Sequence, residues 1–329
     1  MKLSKAGIVF VVIGLVLLIL TPIWKWAVVP SLKKLPDTID QTLIYEGVLT
    51  LNVDPTTMAP LPAGMEVKVP LTITRKDISD KAKGTKKVAV VREPVVAKGP
   101  AGKDYINYTK YYALDRKTGK NVPGNNSDMN RTDYSLLLGF DVDPKNTYKY
   151  FEDDTATAQK MDYVKTDKMD GFDYKDVEVL EFKGTGADKT KEPPLGMPAK
   201  ISGAQIKAVL NNPNLPFADT EMFPIDYIKG TTATMRVDQR TGSIFDVVSM
   251  KEEYFVDATA LGMGKIKLAT IQYSQTPESV KQNLDEAASS YKQLDMVEKY
   301  IPLLLLILGV IFLVIGLVLI LVKKPAEQK

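Results

Sequence analysis

The sequence predicts an α+β, mainly β protein. A large antiparallel β-rich extracytoplasmic domain lies between two terminal transmembrane helices, and a long amphipathic helix leads into the second span. Three observations carry this reading. Uncharged apolar runs occupy both ends of the 329-residue chain, Ala6 to Trp24 and Ile301 to Val322. Between them, short runs of β-branched and aromatic residues alternate with polar ones and stop at Gly, Pro, Asn and Asp. From Thr276 onward the apolar residues recur at helical spacing instead.

The spans come first. A bilayer core takes roughly 20 apolar residues as helix, and each terminal run is long enough. MKLSK would serve as the positive start of a signal peptide, but the apolar run is long and no small-x-small cleavage pattern follows it. Trp24 and Trp26 read instead as interfacial anchors of a retained span over residues 6–28. The second span covers 301–322, which leaves 1–5 and 323–329 as cytoplasmic tails. Lysines flank span one on both sides, at Lys2 and Lys5 and at Lys25, Lys33 and Lys34. The short N-terminus and signal-like order place both termini in the cytoplasm. The protein is thus expected in the cell membrane, with its large domain outside. Gly7 and Gly14, like Gly309 and Gly316, are seven residues apart and share a helix face. Such faces either pack the two spans against each other or mediate a homo-oligomer. No charge interrupts either apolar run, Ala6 to Trp24 or Ile301 to Val322, which argues against an ion path lined by these helices alone.

The middle, 29–275, reads as strands. TLIYEGVLTLNVDPTTM from Thr42 ends in the turn signal Asp54-Pro55, and MEVKVPLTITRK from Met65 alternates with Val67, Val69, Leu71 and Ile73 on one face. Pro70 in that run suggests an edge strand. KKVAVVREPVV and YINYTKYYALD follow. After a loop rich in Gly, Asn and Asp, Asp170-Gly171 reads as a hairpin turn. SGAQIKAVLNN from Ser202 is the one internal helix expected. The stalk helix spans 276–300, with Thr276 as N-cap, Pro277 at N1 and an apolar stripe through Val280, Leu284, Ala287, Tyr291 and Leu294. Its first half is expected to pack on the sheet, with a break before Pro302.

Composition removes much chemistry. There is no Cys and no His, so disulfides, Cys or Ser-His-Asp catalysis and Cys/His zinc sites are excluded. The formal charge of +3 comes from the tails: without their five lysines and Glu327 the rest carries −1. Nucleic acid is therefore not an expected partner. No catalytic residue, metal site or cofactor is assigned, and the expectation is a non-enzyme whose partners are the bilayer and a lipid or envelope component. Glu152, Asp153 and Asp154 lack calcium-loop spacing and read as a solvated turn. Sequons at Asn107, Asn125 and Asn130 mark acceptor positions in an exposed loop.

One motif occurs twice. YALDRKTG and MRVDQRTG each place Asp-x-basic-Thr-Gly after a strand-like lead, giving Asp115 with Gly119 and Asp238 with Gly242. The aspartate can accept from backbone N–H groups two residues on, and the glycine can take positive φ, so the motif reads as a turn used twice.

The order of VVPSLKKLP, GVLTLNVDP, YALDRKTG, DYVKTDKMDGFDYKDVEVLEF, TATMRVDQRTG and the terminal span resembles the PorA porin family of actinobacterial membrane proteins, of which the chain looks like a distant member. The resemblance implies voltage-gated channel activity through a cell envelope, by an oligomer. The hairpin segment YVKTDKMDGFDYKDVEVLEF is also similar to the curved-sheet unit of lipoprotein carriers, and the layout to that of class B scavenger receptors. The expected function is a structural or ligand- or lipid-binding role at the envelope, with an oligomeric channel as the alternative.

Overall fold

The computed structural model describes residues 4–54, 59–170, 175–210, 212–259 and 264–322. The chain forms two compact units, Met1–Lys34 with Ala288–Lys329, and Leu35–Ala287. The Asp54-Pro55 and Asp170-Gly171 turns and the terminal lysines lie partly or wholly outside the described residues.

In the first unit, helix α1 (Lys5–Ile23) starts at Ser4, whose Oγ accepts from Gly7 N at 3.3 Å. A π turn over Trp24–Val28 joins it to the short α2 (Val29–Leu32). A second π turn, Met296–Tyr300, precedes α5 (Ile301–Leu321). One residue after each π turn comes a proline, at Val29-Pro30 and Ile301-Pro302. A proline ring clashes with the carbonyl four residues back, and the wider turn relieves the clash without ending the helix. The expected break before Pro302 is therefore absent, and helix runs unbroken from Pro277 to Leu321. Both terminal helices are long and apolar enough to cross a membrane.

Helices α1 and α5 pack antiparallel through the glycine faces. A Cβ on Gly14 would lie 2.7 Å from the Gly309 carbonyl oxygen, and one on Gly316 would lie 2.6 Å from Val11 N. Phe10 stacks on Phe312 at 5.6 Å, and Trp24 Nε1 donates to the Val297 carbonyl at 2.9 Å. Of the two roles predicted for the glycines, packing within the chain is the one seen.

The second unit is built on a ten-stranded antiparallel half-barrel. Among the described residues the strands are β1 (Asp40–Leu51), β2 (Val67–Ser79), β3 (Val88–Lys98), β4 (Asp104–Asp115), β5 (Tyr148–Glu152), β6 (Thr157–Met169), β7 (Val177–Lys189), β8 (Lys200–Ser202), β9 (Met222–Pro224), β10 (Tyr227–Asp238), β11 (Ile244–Asp257) and β12 (Lys265–Gln275). The main sheet runs β4-β3-β2-β1-β12-β11-β10-β7-β6-β5, and β8 pairs with β9 separately. Its first and last strands, β1 and β12, pair in the middle, so the chain enters and leaves the sheet side by side.

Period-two alternation sets the inner face. Leu43, Tyr45 and Leu49 of β1, Val69, Leu71 and Ile73 of β2, and Ala233, Met235 and Val237 of β10 share one core with residues of β11 and β12. Val67, expected on the same face, is exposed. The edge-strand expectation for Pro70 is corrected: β2 is internal. Pro70 pairs with Val48 of β1, but the β2–β3 ladder begins only at Thr72, so this stretch has no β3 partner needing the missing N–H.

Helix α3 (Gly203–Val209) begins at Ser202 with a reciprocal capping box to Gln205. Helix α4 (Pro277–Asp295) meets the sheet through polar groups in its first half. Ser279 Oγ accepts from Ile44 N at 3.1 Å, and Asn283 donates to the Phe245 carbonyl at 2.9 Å.

Candidate functional site

The two Asp-x-basic-Thr-Gly turns come together in space. Asp115 Oδ1 accepts from Lys117 N at 3.0 Å, Thr118 N at 2.8 Å and Thr118 Oγ1 at 2.9 Å. Asp238 accepts from Arg240 N at 3.2 Å, Thr241 N at 3.1 Å and the Thr241 hydroxyl. Gly119 and Gly242 adopt φ of +71° and +73°. Both turns close on one segment, Leu137 to Gly139. A Cβ on Gly119 would lie 2.9 Å from Leu137 Cδ1, and one on Gly242 would collide with the Gly139 carbonyl. Leu138 N donates to Gly242 O at 2.8 Å. The echo thus clamps the loop 116–147, with Leu138 and Val142 driven into the core. Of the sequon asparagines, Asn125 and Asn130 are exposed in that loop, whereas Asn107 is exposed on strand β4.

The same loop straps the two sheet edges together. Val122 N and Asp128 N donate to carbonyls of β4, while Tyr134 bridges to Tyr150 of β5. Arg131, 2% exposed, ties the strap to both edges. Its guanidinium donates to the Tyr111 carbonyl at 2.9 Å and holds Asp153 through Nε at 2.7 Å and Nη2 at 3.0 Å.

Inside the curled sheet lies a cavity of about 750 Å³. Among the described residues, eight carboxylates and five basic side chains line it, together with seven tyrosines. The acidic run 152–154 lines this interior and passes into a turn, as expected, with Asp154 partly exposed; the solvated reading is corrected for Glu152 and Asp153, whose side chains are largely buried. Lys229, 4% exposed along its side chain, sits among Asp154 at 2.7 Å, Glu152 at 3.0 Å and Glu252 at 3.3 Å. Lys110 and Arg131 hold Asp153. Three carboxylates at adjacent positions look solvated in a linear reading. Here cations from β4, β10 and the strap reach them, and only the tertiary fold brings those together.

These charges perturb one another. Burial draws Lys229 down, but Glu252, Tyr254, Glu152 and Asp154 outweigh it and hold the ammonium well above its usual range. Burial likewise raises Asp153, and the hydrogen bonds and charges of Arg131 and Lys110 more than reverse this. Burial pushes Glu152 up despite Lys229.

A second cluster lies where the β2–β3 ladder skips four residues, between Arg75↔Val95 and Ile78↔Arg92. Arg75 grips Asp77 in a bidentate pair, both bonds at 3.0 Å. Glu93, 5% exposed, sets its Oε2 3.5 Å from Arg75 Nε, an ion pair that leaves this oxygen without a hydrogen bond. Burial pushes its carboxyl up to about 7. Sequence reasoning passed over these residues although the signal was present. Arg75 and Asp77 continue the inward register of Val69, Leu71 and Ile73, and Lys229 and Thr231 continue that of Ala233 and Met235.

Such an interior can solvate a polar or charged molecule by replacing water with fixed hydrogen-bonding groups. No group of three or more acidic side chains among the described residues is arranged to hold a metal ion. No curated protein matches the sequence at a significant level. A family model described as Porin PorA matches residues 6–318, nearly the whole chain, and carries the two apolar helices and the β unit together. The protein therefore belongs to the PorA porin family.

Proposed function

We propose that this membrane protein is a two-pass, cell-envelope-anchored binder. Its β unit lies outside the cytoplasmic membrane and takes a small polar ligand into the half-barrel. The observation that carries the reading is the cavity of about 750 Å³, a volume in the range of small-molecule sites. Its lining argues against an acyl chain as the occupant. Covering so many charged and hydroxyl groups with hydrocarbon would cost several kcal/mol for each group left unpaired, on the order of 2–7. Native mass spectrometry of the full chain from a non-ionic detergent tests the reading. A one-to-one adduct smaller than a phospholipid is expected, and an adduct of intact lipid alone would overturn the polar-ligand assignment. Protease shaving of intact cells tests the topology: an uncut β unit would place it inside.

The second reading is an oligomeric channel, favoured by family membership. Against it, the apolar runs Ala6 to Trp24 and Ile301 to Val322 carry no charge, and the small-residue faces are already occupied by each other. Planar bilayers loaded with purified protein separate the two readings. The binder gives no voltage-dependent current in any oligomeric state, and a reproducible unitary conductance would favour the channel.

A further inference from the structure

The charge balance of the cavity favours one class of ligand. Eight carboxylates face five basic side chains, an excess of three negative groups. Most of these carboxylates are held by protein cations. Glu93 is held more loosely: its Oε2 lies 3.5 Å from Arg75 Nε, and it is the one cavity-lining side-chain atom, among the described residues, that is fully buried with no hydrogen-bond partner. A buried carboxylate oxygen without a hydrogen bond is destabilising, and a bound donor would recover that loss. The surroundings suit a cation. The protein's own cations already lie over tyrosine rings of this cavity, Arg131 over Tyr112 at 4.1 Å, Lys110 over Tyr108 at 4.7 Å and Lys229 over Tyr254 at 5.6 Å. Tyr45 and Tyr150 also lie within electrostatic reach of Glu93, and no side-chain cation is seen over either ring among the described residues. Aromatic faces attract ammonium groups, most where water is excluded.

We propose that the cavity is a site for a small alkylammonium, whose charged head hydrogen-bonds Glu93 Oε2 beside its Arg75 ion pair and whose carbon body lies against the tyrosine rings. The assignment rests on the ligand-binding reading above and names the ligand class. Glu93 is faced by Arg75 and Asp77 of β2, Lys110, Tyr108 and Tyr112 of β4, Tyr45 of β1 and Tyr150 of β5. Binding requires the carboxylate, so affinity falls as pH drops below about 7, where Glu93 takes up a proton.

The test is isothermal titration of the full chain in a non-ionic detergent with n-butylamine and 1,4-diaminobutane, beside n-butanol and butyrate as neutral and anionic matches. The amines are expected to bind. The Glu93→Gln variant is expected to weaken them at least tenfold at pH 8 while keeping its circular dichroism. In the unaltered protein, affinity should fall at least tenfold from pH 8 to pH 5.5, a readout that needs no variant. Butanol or butyrate binding as tightly as the amines would overturn the cation assignment and leave the ligand-binding reading standing. So would amine binding indifferent to both pH and Glu93. If none of the four probes binds, the cation assignment falls. If the native spectrum also carries no adduct, the binding reading falls with it.

Discussion

Replacing Gly242 by alanine separates backbone strain from packing at the point where the repeated turns meet. Gly242 and Gly102 have nearly the same backbone, φ +73° and +74°, but different surroundings. Around Gly102 nothing lies within 4 Å of an added Cβ, whereas at Gly242 the Cβ would overlap the Gly139 carbonyl. An L-residue in the left-handed region costs about 1–2 kcal/mol, and that cost is common to both sites. At Gly242 the strap must also withdraw. Three backbone hydrogen bonds then weaken: Leu138 N to Gly242 O at 2.8 Å, Asp141 N to Arg240 O at 3.0 Å and Val142 N to Gln239 O at 2.7 Å. Each contributes about 1 kcal/mol net, and overpacking itself costs about 1–3 kcal/mol. Gly242→Ala should therefore destabilise the β unit by about 3–5 kcal/mol, and Gly102→Ala by about 1–2 kcal/mol. Guanidinium unfolding of the full chain in detergent, followed by far-ultraviolet circular dichroism, measures both. Equal losses, within about 0.5 kcal/mol, would refute the claim that the two turns clamp residues 137–139.

Three further outcomes are expected. Arg131→Ala strips Asp153 of its bidentate partner and unties the strap from both edges, costing about 3–5 kcal/mol and opening the loop 116–147 to limited proteolysis; unchanged cleavage would count against the strap. Glu93 binds its proton more tightly folded than unfolded, so the stability it contributes is full below about pH 4.5 and is lost as pH rises through about 7; Glu93→Gln should therefore stabilise the protein by about 3 kcal/mol at pH 8 and by little at pH 4, as read from denaturation midpoints, and an equal effect at both pH values would disprove the assignment. Gly14→Ile places side-chain atoms where the Gly309 carbonyl now sits, costing about 1–3 kcal/mol of span packing, visible as a lower midpoint for loss of the α1–α5 contact in a cysteine cross-linking assay; unaltered cross-linking would mean the helices do not meet through this face.

Much of the fold is written locally. The spans, the Ser202 and Thr276 caps, the stalk helix and most strands follow from periodicity and end signals within a few residues of each other. The paired glycines at seven-residue spacing fixed a face but not its partner, because a small-residue stripe is the same object whether it meets its own chain or another. Pro70 misled because a proline reports a missing ladder bond at one residue, and β2 lacks a β3 partner there although β1 pairs with it and the strand is internal. The site was the least legible part. Arg75, Asp77, Lys229 and Glu252 lie on inward registers that a strand reading can assign, yet charge on a period-two pattern is ordinarily read as the solvent face. What makes it interior is the curl of ten strands and the strap that ties β4 to β5, and both depend on contacts far apart in sequence. The repeated turn was legible as a turn, but nothing in either copy reveals that both grip Gly139.

The central claim, that the half-barrel is a cavity for a small cation anchored at Glu93, is met most directly by a high-resolution structure of the full chain grown with 1,4-diaminobutane. One amine nitrogen is expected within hydrogen-bond distance of Glu93 Oε2, with the lining tyrosines unmoved. A diamine bound only outside the sheet, or an interior filled by repacked side chains with no room for it, would contradict the account.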